Sequence, residues 1–416
     1  MDKRDLLNWF TKIAHLTGGV STLGGWANNI APYGERYFYN EKSFAECLNE
    51  LLRDTDNYSL INIVEGREIT IDFYRSYLKR NNAPEKLFSI CEAEIIADAF
   101  CHMIDGVRMS ADVCRRLCQI DIIERTLSFK NGVIFELGGG HGGFARVAKL
   151  AMGVSTHIIC DIPETLFFSA GFLSHSFPEA KIALVTEENA DEIANNVTGY
   201  DFVFVPCGLE WRFAQIEIDL FVNSHSLGEM ITETAGKYFD FLNANKNIKK
   251  AFLVNRFLNS THNQQGNIGS LGVDHSWDVK YWRVDPEFMQ CPMEDYEPQY
   301  LAMILVRRET ARGEKERKAQ AKRLEEEVLK EPWFKKADEL FSHQLTVRDL
   351  RTVLPQRRPC FVEGGTLFKL WNAIRIYPTP SNTLLMMKFL RYHNFLHFPY
   401  AETFSYLSLH NSGKFR

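Results

Sequence analysis

VIFELGGGHGGFARVAKLA, from Val133 to Ala151, ends an apolar strand on a carboxylate and opens a helix through a glycine-dense turn. The strand is read as Val133 to Phe135, with Glu136 at its carboxyl end and glycines at 138, 139, 140, 142 and 143. Phe144, Val147, Ala148 and Ala151 follow at the spacing of one buried helical face. A turn of this kind lets a ligand approach the backbone, because side chains there would hold it away.

Two classes of cofactor site use such a turn. Gly138, Gly140 and Gly143 satisfy the GxGxxG of dinucleotide enzymes, while Glu136 to Gly142 satisfies ExGxGxG. The acidic residue favours the second. A carboxylate two positions before the first glycine repels a pyrophosphate resting on a helix N-terminus, yet suits the ammonium and sulfonium of S-adenosylmethionine (SAM). In STHIICDIPETL a second apolar strand, His157 to Cys160, ends on Asp161 about 20 residues past the turn, the separation of a ribose-binding carboxylate. Asp161 can instead cap the helix that follows, with Pro163 in its first turn.

With these segments in view, the chain resembles the SAM-dependent O-methyltransferases, and among them the putative sugar O-methyltransferases of bacterial glycan and antibiotic clusters. The resemblance rests on FELGGGHGG, CDIPETL, FVFVPC and DLFVNSHSLGEM and runs from about Gly132 to Arg308. The glycine motif points to the SAM fold in general; the segment from Asn223 to Met230 points to the sugar subgroup. The resemblance implies an α/β fold with a Rossmann-like class I methyltransferase sheet, helices on both faces, an N-terminal helical domain and a C-terminal helical extension. The expected boundaries are 1–128, 129–309 and 310–416.

Length and pattern agree with more than one unit, since 416 residues exceed one compact core. Residues 1 to about 125 are expected to be mostly helical, through ICEAEIIADAFCHMI and SADVCRRLCQIDIIERTL, the second opening with Ser110 and Asp112 as start signals. Before them, TGGVSTLGGWANNIAPYGERYFYN has no clear period and reads either as a surface loop or as a lid; the resemblance supports the lid. The middle unit alternates strands with helices, as in an open parallel sheet: KIALVT, DFVFVPC, IDLFVNS, KAFLVNRF and YLAMILVRR follow the first two strands. WDVKYWRV is expected to pair antiparallel with the last. That makes one strand beyond the usual seven, and either KIALVT or DFVFVPC is the insertion.

Ligands of open sheets bind beyond the carboxyl ends of the strands. The cofactor set expected there is Glu136, Gly138, Gly140, His141, Gly142, Asp161, Ile162, Pro206, Cys207 and Asn223. A sugar hydroxyl becomes a nucleophile when a base takes its proton, and histidine, titrating near pH ~6.5, suits the task. His225 lies just past the IDLFVNS strand in a polar turn, with Glu229 four residues on to orient it; substrate hydrogen bonding and a structural role stay open for it. Acceptor contacts are expected from Asn255, Arg256, His275 and Trp277, in and after a stretch rich in amides and aromatics. Trp277 and Tyr281 differ in strand parity from Trp282, so one face is expected to be buried and the other available. The rival mechanism is a magnesium ion gripping two sugar oxygens, with Asp219, Glu229, Asp274, His275 and Asp278 as ligands, although no ligand spacing is diagnostic.

No apolar run approaches the roughly 18 residues of a membrane span, and MDKRDLLNWF is unlike a signal peptide. The nine scattered cysteines read as reduced thiols of a cytoplasmic protein, Cys114 and Cys118 as buried thiols and not a zinc pair. From Arg307 onward 21 Lys and Arg stand against 12 Asp and Glu, whereas the preceding residues carry 27 against 41. This basic tail starts with a charged, solvated helix and ends in LFKLWNAIRIYPTPSNTLLMMKFLRYHNFLHFPY, rich in aromatics. It is expected to dock on the core, to form an oligomer contact, or to hold the enzyme near a membrane or a glycan-assembly partner, with residues from about 311 dispensable for folding. The acceptor is then a sugar or glycan, free, nucleotide-linked or lipid-linked; nucleic acid is not expected, because no stripe of closely spaced Lys and Arg interleaves with the aromatics.

Overall fold

The computed structural model describes residues 2–16, 26–54, 62–64, 67–69, 71–256, 272–285, 300–310, 312–331 and 365–392. The N-terminal part comprises α1 (Lys3–Ile13), α2 (Trp26–Phe38), α3 (Phe44–Asp54), a hairpin of β1 (Asn62–Val64) and β2 (Arg67–Ile69), α4 (Ile71–Arg80), a hairpin of β3 (His102–Ile104) and β4 (Val107–Met109), and α5 (Ala111–Leu127). The sheet region follows with β5 (Val133–Leu137), α6 (Gly143–Met152), β6 (Thr156–Asp161), α7 (Pro163–Ser176), β7 (Ile182–Leu184), α8 (Ala190–Asn195), β8 (Phe202–Pro206), β9 (Leu220–Ser224), α9 (Thr232–Ala244), β10 (Lys250–Arg256), β11 (Trp277–Val284) and β12 (Tyr300–Arg307). Three more helices are α10 (Glu314–Leu329), α11 (Thr366–Ile376) and α12 (Pro380–Tyr392).

Eight strands form one sheet in the order β11-β12-β10-β9-β5-β6-β8-β7. The six from β10 to β7 run parallel, and β12 is antiparallel to both of its neighbours. This is the Rossmann-like α/β sheet that the sequence leads one to expect. Of the two strands left open as the insertion, β8 takes the place beside β6, and three-residue β7 is the edge. The strands alternate their side chains between two apolar layers, as the two-residue period requires. Phe135, Val203, Phe221 and Leu253 join α9, α11 and α12 on one face, while Ile134, Val222, Phe252 and Ile304 join α4, α5 and α6 on the other.

Two expectations need correction. Ile90 to Ile104 is not a helix: irregular turns lead into the β3–β4 hairpin, where Asp105 and Gly106 both have positive φ. The helical spacing of its apolar residues instead serves a surface segment whose Ala93, Ile96 and Phe100 pack beneath α3 and α7. The strand parity of β11 is also broken. A β-bulge between Val279 and Tyr281 takes Lys280 out of register, so Trp277 and Trp282 share one face and Tyr281 turns to the other. All three are buried, so none of these rings is left for an acceptor.

The described part of the tail belongs to the core. Trp371 of α11 lies 4.5 Å from Trp282 between ring centroids, and Leu367, Leu370, Ile374, Leu385, Met386 and Phe389 complete the layer. Arg375 is buried and donates to the carbonyls of Asp274 (2.7 Å) and Trp277 (2.9 Å). Only α10 behaves as the solvated helix expected, burying Ala321 and Val328 alone. No helix among the described residues is long and apolar enough to cross a membrane.

Candidate active site

One cavity opens at the carboxyl ends of β9, β5, β6 and β8, as the sheet rule requires. Its floor is the turn from Glu136 to His141. Gly138 has φ +73, and a Cβ there would collide with the Ser226 side chain. Gly140 has φ +57 and open space where a Cβ would stand, so a side chain would project into the room a ligand needs. Gly142, expected to touch the cofactor, is absent from the lining; with φ +94 it caps α6 and faces Leu173 of α7.

The two carboxylates take distinct positions. Glu136 lies inside β5, one residue short of its end, and lines the cavity while its Oε2 is 2.8 Å from Nε2 of His157. His157 is fully buried at the start of β6, so it fixes the glutamate rotamer from behind. Asp161 Oδ2 accepts from the Gly140 N–H at 3.0 Å and Oδ1 from the Ile162 N–H at 2.8 Å. Asp161 therefore ties the glycine turn to the end of β6. It does not cap α7, whose N-cap is Ile162 with Pro163 next. A carboxylate oxygen accepts more than one bond, so Asp161 keeps capacity for hydroxyls in the cavity. Ile162, Cys160, Cys207, Phe168 and Thr165 continue the wall past it. Cys207 lines the cavity but Pro206 does not. Burial, with Cys207 beside it, pushes the Cys160 thiol well above its ordinary range, which makes it an apolar wall and no nucleophile.

At the other end the wall is Ser224, His225, Ser226 and Met230. His225 has φ +77 and ψ −37, a conformation that costs a non-glycine residue roughly 1 to 3 kcal/mol. Its N–H donates to the Val254 carbonyl at 2.7 Å, and its ring lies 4.4 Å from that of Tyr300. The strain is held by Asn223 and Asn255, both fully buried and neither in the cavity. Asn223 Nδ2 donates to the Leu137 carbonyl (2.7 Å) and Ser226 Oγ (2.6 Å), while its Oδ1 receives Asn255 Nδ2 at 2.8 Å. Asn255 Oδ1 receives the Gly228 N–H at 3.1 Å. These amides are consumed within the fold. Their expected cofactor and substrate roles give way to a structural one, fixing the turn that presents His225.

Other expected contacts lie elsewhere. Trp277 is fully buried, donates to Asn243 Oδ1 and carries the Arg307 guanidinium 4.1 Å from its ring centroid. His275 is half-buried among Asp274, Arg308, Arg317 and Arg375, and burial lowers its pKa. Neither residue lines the cavity. The side chains of Glu229 and Arg256, and residues 257–271, lie outside the described residues. Asp219 binds the Val133 N–H at the opposite end of the sheet, Asp274 binds Ser276, and Asp278 pairs with Arg308. Among the described residues no three metal-ligating side chains converge.

The sequence reading left the roof open between a loop and a lid and named none of its residues. Ile30 of α2 and Leu51 and Leu52 of α3 close the apolar side of the cavity, so part of the N-terminal segment read as either loop or lid is a helix lying over the site. Arg115 and Arg116 of α5 line it as well. Adjacent basic residues near a helix start carry no motif. Only the packing of α5 on α6 reveals them.

No known family and no curated protein matches this sequence. Among solved structures, M. capricolum TrmK in complex with S-adenosyl-homocysteine is 13% identical over 66% of this chain and 96% of its own, with a TM-score of 0.29. A putative RNA methyltransferase from Pyrococcus horikoshii is 13% identical over 48% of this chain and 85% of its own, at 0.31. Magnesium protoporphyrin IX methyltransferase from Synechocystis with bound SAM is 12% identical over 57% and 94%, at 0.29. At these values the likeness decides nothing about chemistry, which rests on the residues of the cavity.

Proposed function

We propose that this chain is a SAM-dependent methyltransferase and that its acceptor is a sugar hydroxyl. One observation carries the cofactor reading: a glycine turn with room for a ligand, Glu136 and Asp161 facing one cavity, and a strained histidine at its far rim. SAM would supply an electrophilic methyl group there. Asp161 would accept from the ribose hydroxyls and Glu136 would face the cationic half of the cofactor. Ile162, Phe168 and Cys207 offer apolar surface to a base, while Ile30, Leu51 and Leu52 keep water out of the reaction. The imidazole of His225 would take the hydroxyl proton as the new bond forms. A magnesium-assisted variant of this reaction remains a second proposal, and EDTA treatment followed by magnesium addition tests it.

The sugar part rests on the resemblance of DLFVNSHSLGEM. Whether the sugar is free, nucleotide-linked or lipid-linked, and whether the protein works in the cytoplasm at a membrane face, belong to the same proposal. Titration calorimetry with S-adenosylhomocysteine and, separately, with nicotinamide dinucleotides tests the cofactor. Binding of a dinucleotide alone would replace the reading by an oxidoreductase. Mass spectrometry of cell glycans from a deletion strain tests the acceptor: a glycan that loses one methyl increment supports it, and an unchanged glycan profile sinks it.

A further inference from the structure

The glutamate of the cavity is held by a residue that does not itself line the cavity. His157 is fully buried in β6, and in the parallel register it stands beside Ile134 of β5. Residues two apart share one face of a strand, so Glu136 lies next along the same side. Nε2 of His157 comes to 2.8 Å from Glu136 Oε2. A carboxylate only accepts, so Nε2 carries the hydrogen and donates it. The rest of the ring meets apolar surroundings. Phe144 of α6 lies edge-on to it with centroids 6.0 Å apart, and Nδ1 is buried without a hydrogen-bond partner. Such a nitrogen costs free energy that an apolar side chain of similar size would not, so packing alone does not account for a histidine here. The bond to Glu136 does. The glycine turn lies close on the same carboxylate: a Cβ on Gly139 would stand 3.4 Å from Oε2. Oε1 has no hydrogen bond among the described residues, and Glu136 lines the cavity.

We propose that His157 is a positioning residue of this cavity: it touches no ligand, and by donating to Glu136 Oε2 it aims Oε1 at the ammonium group of an amino-acid-bearing nucleoside. This role rests on reading the cavity as the SAM site. It gives the discrimination between a nucleoside with an amino acid and one without to a side chain outside the cavity. A carboxylate already in place binds an ammonium more tightly than one that must be ordered as the ligand arrives. Loss of the donor should therefore weaken the hold on the amino-acid half of the ligand. The nucleoside half, which would meet Asp161 and the apolar wall, should be unaffected.

The test uses the full chain with His157→Met and His157→Gln, two side chains of similar length of which only the glutamine can donate to Glu136. Calorimetry compares S-adenosylhomocysteine with 5′-methylthioadenosine, which has the same nucleoside and sulfur but no amino acid. His157→Met should lose about tenfold or more for the first ligand, with the second within twofold of wild type, and His157→Gln should recover most of the loss. In a Glu136→Gln background the same His157→Met change should cost less than twofold, because the group it acts through no longer carries charge. A cooperatively melting His157→Met protein that binds S-adenosylhomocysteine as wild type does overturns the role, as does a His157→Gln protein that is equally weak. An equal loss for both ligands, or a loss that persists in the Glu136→Gln background, also overturns it, since either belongs to a residue that merely fills the sheet. Should His157→Met fail to fold, nuclear magnetic resonance of wild type with isotope-labelled histidine decides. An imidazole with a slowly exchanging hydrogen on Nε2, whose signal moves with S-adenosylhomocysteine and not with methylthioadenosine, supports the role; no such signal overturns it. Wild type that binds neither nucleoside sinks the cofactor reading and the role with it, whereas wild type that binds S-adenosylhomocysteine leaves the reading standing when the role alone fails.

Discussion

Glu136 and Asp161 sit one strand apart, and isosteric substitutions should act on both in the same way. Glu136→Gln keeps an oxygen for His157 and removes the charge, while Asp161→Asn keeps one acceptor for the Gly140 N–H. Each should weaken SAM binding by about 1 to 3 kcal/mol, as for one charge-assisted hydrogen bond in a partly buried site, and calorimetry reads the change directly. Unchanged affinity in both variants would remove the cofactor assignment. His225→Ala should lower turnover by roughly a hundredfold or more with SAM affinity nearly intact, because the base acts on the acceptor and not on the cofactor. A rate within a fewfold of wild type would end the base role. His141 gives the protein an acid sensitivity. Burial pushes its pKa down to about 4, so between pH ~6.5 and that value the unfolded chain binds a proton that the folded one refuses. Stability should then fall as pH drops through this window, by about 3 kcal/mol from this group, and Asp112, held below its ordinary range, adds a further loss at lower pH. Urea midpoints of wild type and His141→Gln across this window check it: the variant should show the shallower slope.

Among the elements, β11 shows how one residue redirects a whole face. With Lys280 out of register, Trp277 and Trp282 both meet the layer of α11, and Tyr281 meets that of α4 and α5. Deleting Lys280 would remove the bulge and leave regular alternation, with Trp277, Val279 and Trp282 still on one face and Tyr281 on the other, whereas inserting a further residue there would turn Trp282 towards the wrong layer. The insertion should yield a chain without a cooperative melt, whereas the deletion should still melt cooperatively and Lys280→Ala, on an exposed side chain, should melt within about 0.5 kcal/mol of wild type. The β9 turn works on the same principle at smaller scale. Asn223 and Asn255 lend their amides to the backbone so that a strained His225 is held in place, which is why two polar residues at a ligand-binding edge face away from the ligand.

For the molecule as a whole, the tail is part of the sheet's apolar layer and not an appendage. Trp371 packs on Trp282, and Arg375 binds the strand β11 start. A truncation at Arg312 should therefore be insoluble or lose its cooperative transition, in contrast to the dispensable tail expected from composition. Trp371→Ala alone should cost about 3 to 5 kcal/mol, measured by chemical denaturation. A soluble truncated protein with wild-type SAM affinity would show that these contacts are secondary. A role of the basic tail in recruiting a membrane or partner stays a proposal, and salt-sensitive binding of the full chain to anionic vesicles tests it.

The strand, glycine turn and helix from Val133 to Ala151 were legible in the sequence because each follows from local rules: period, backbone freedom and the sign of a nearby charge. Asp161, the parallel order of the sheet and the antiparallel β11–β12 pair were legible for the same reason. The chain's neighbours in sequence carry no record of which face a buried amide or tryptophan will meet. Asn223, Asn255 and Trp277 look like ligand contacts by position; hydrogen bonds to segments far along the chain, and a one-residue bulge, make them structural. Arg115 and Arg116 look like an ordinary pair on a helix until α5 packs against α6 and both face the cavity, where they meet Asp112. Charge balance in a buried site is a sum over elements distant in sequence, so only the folded chain decides it.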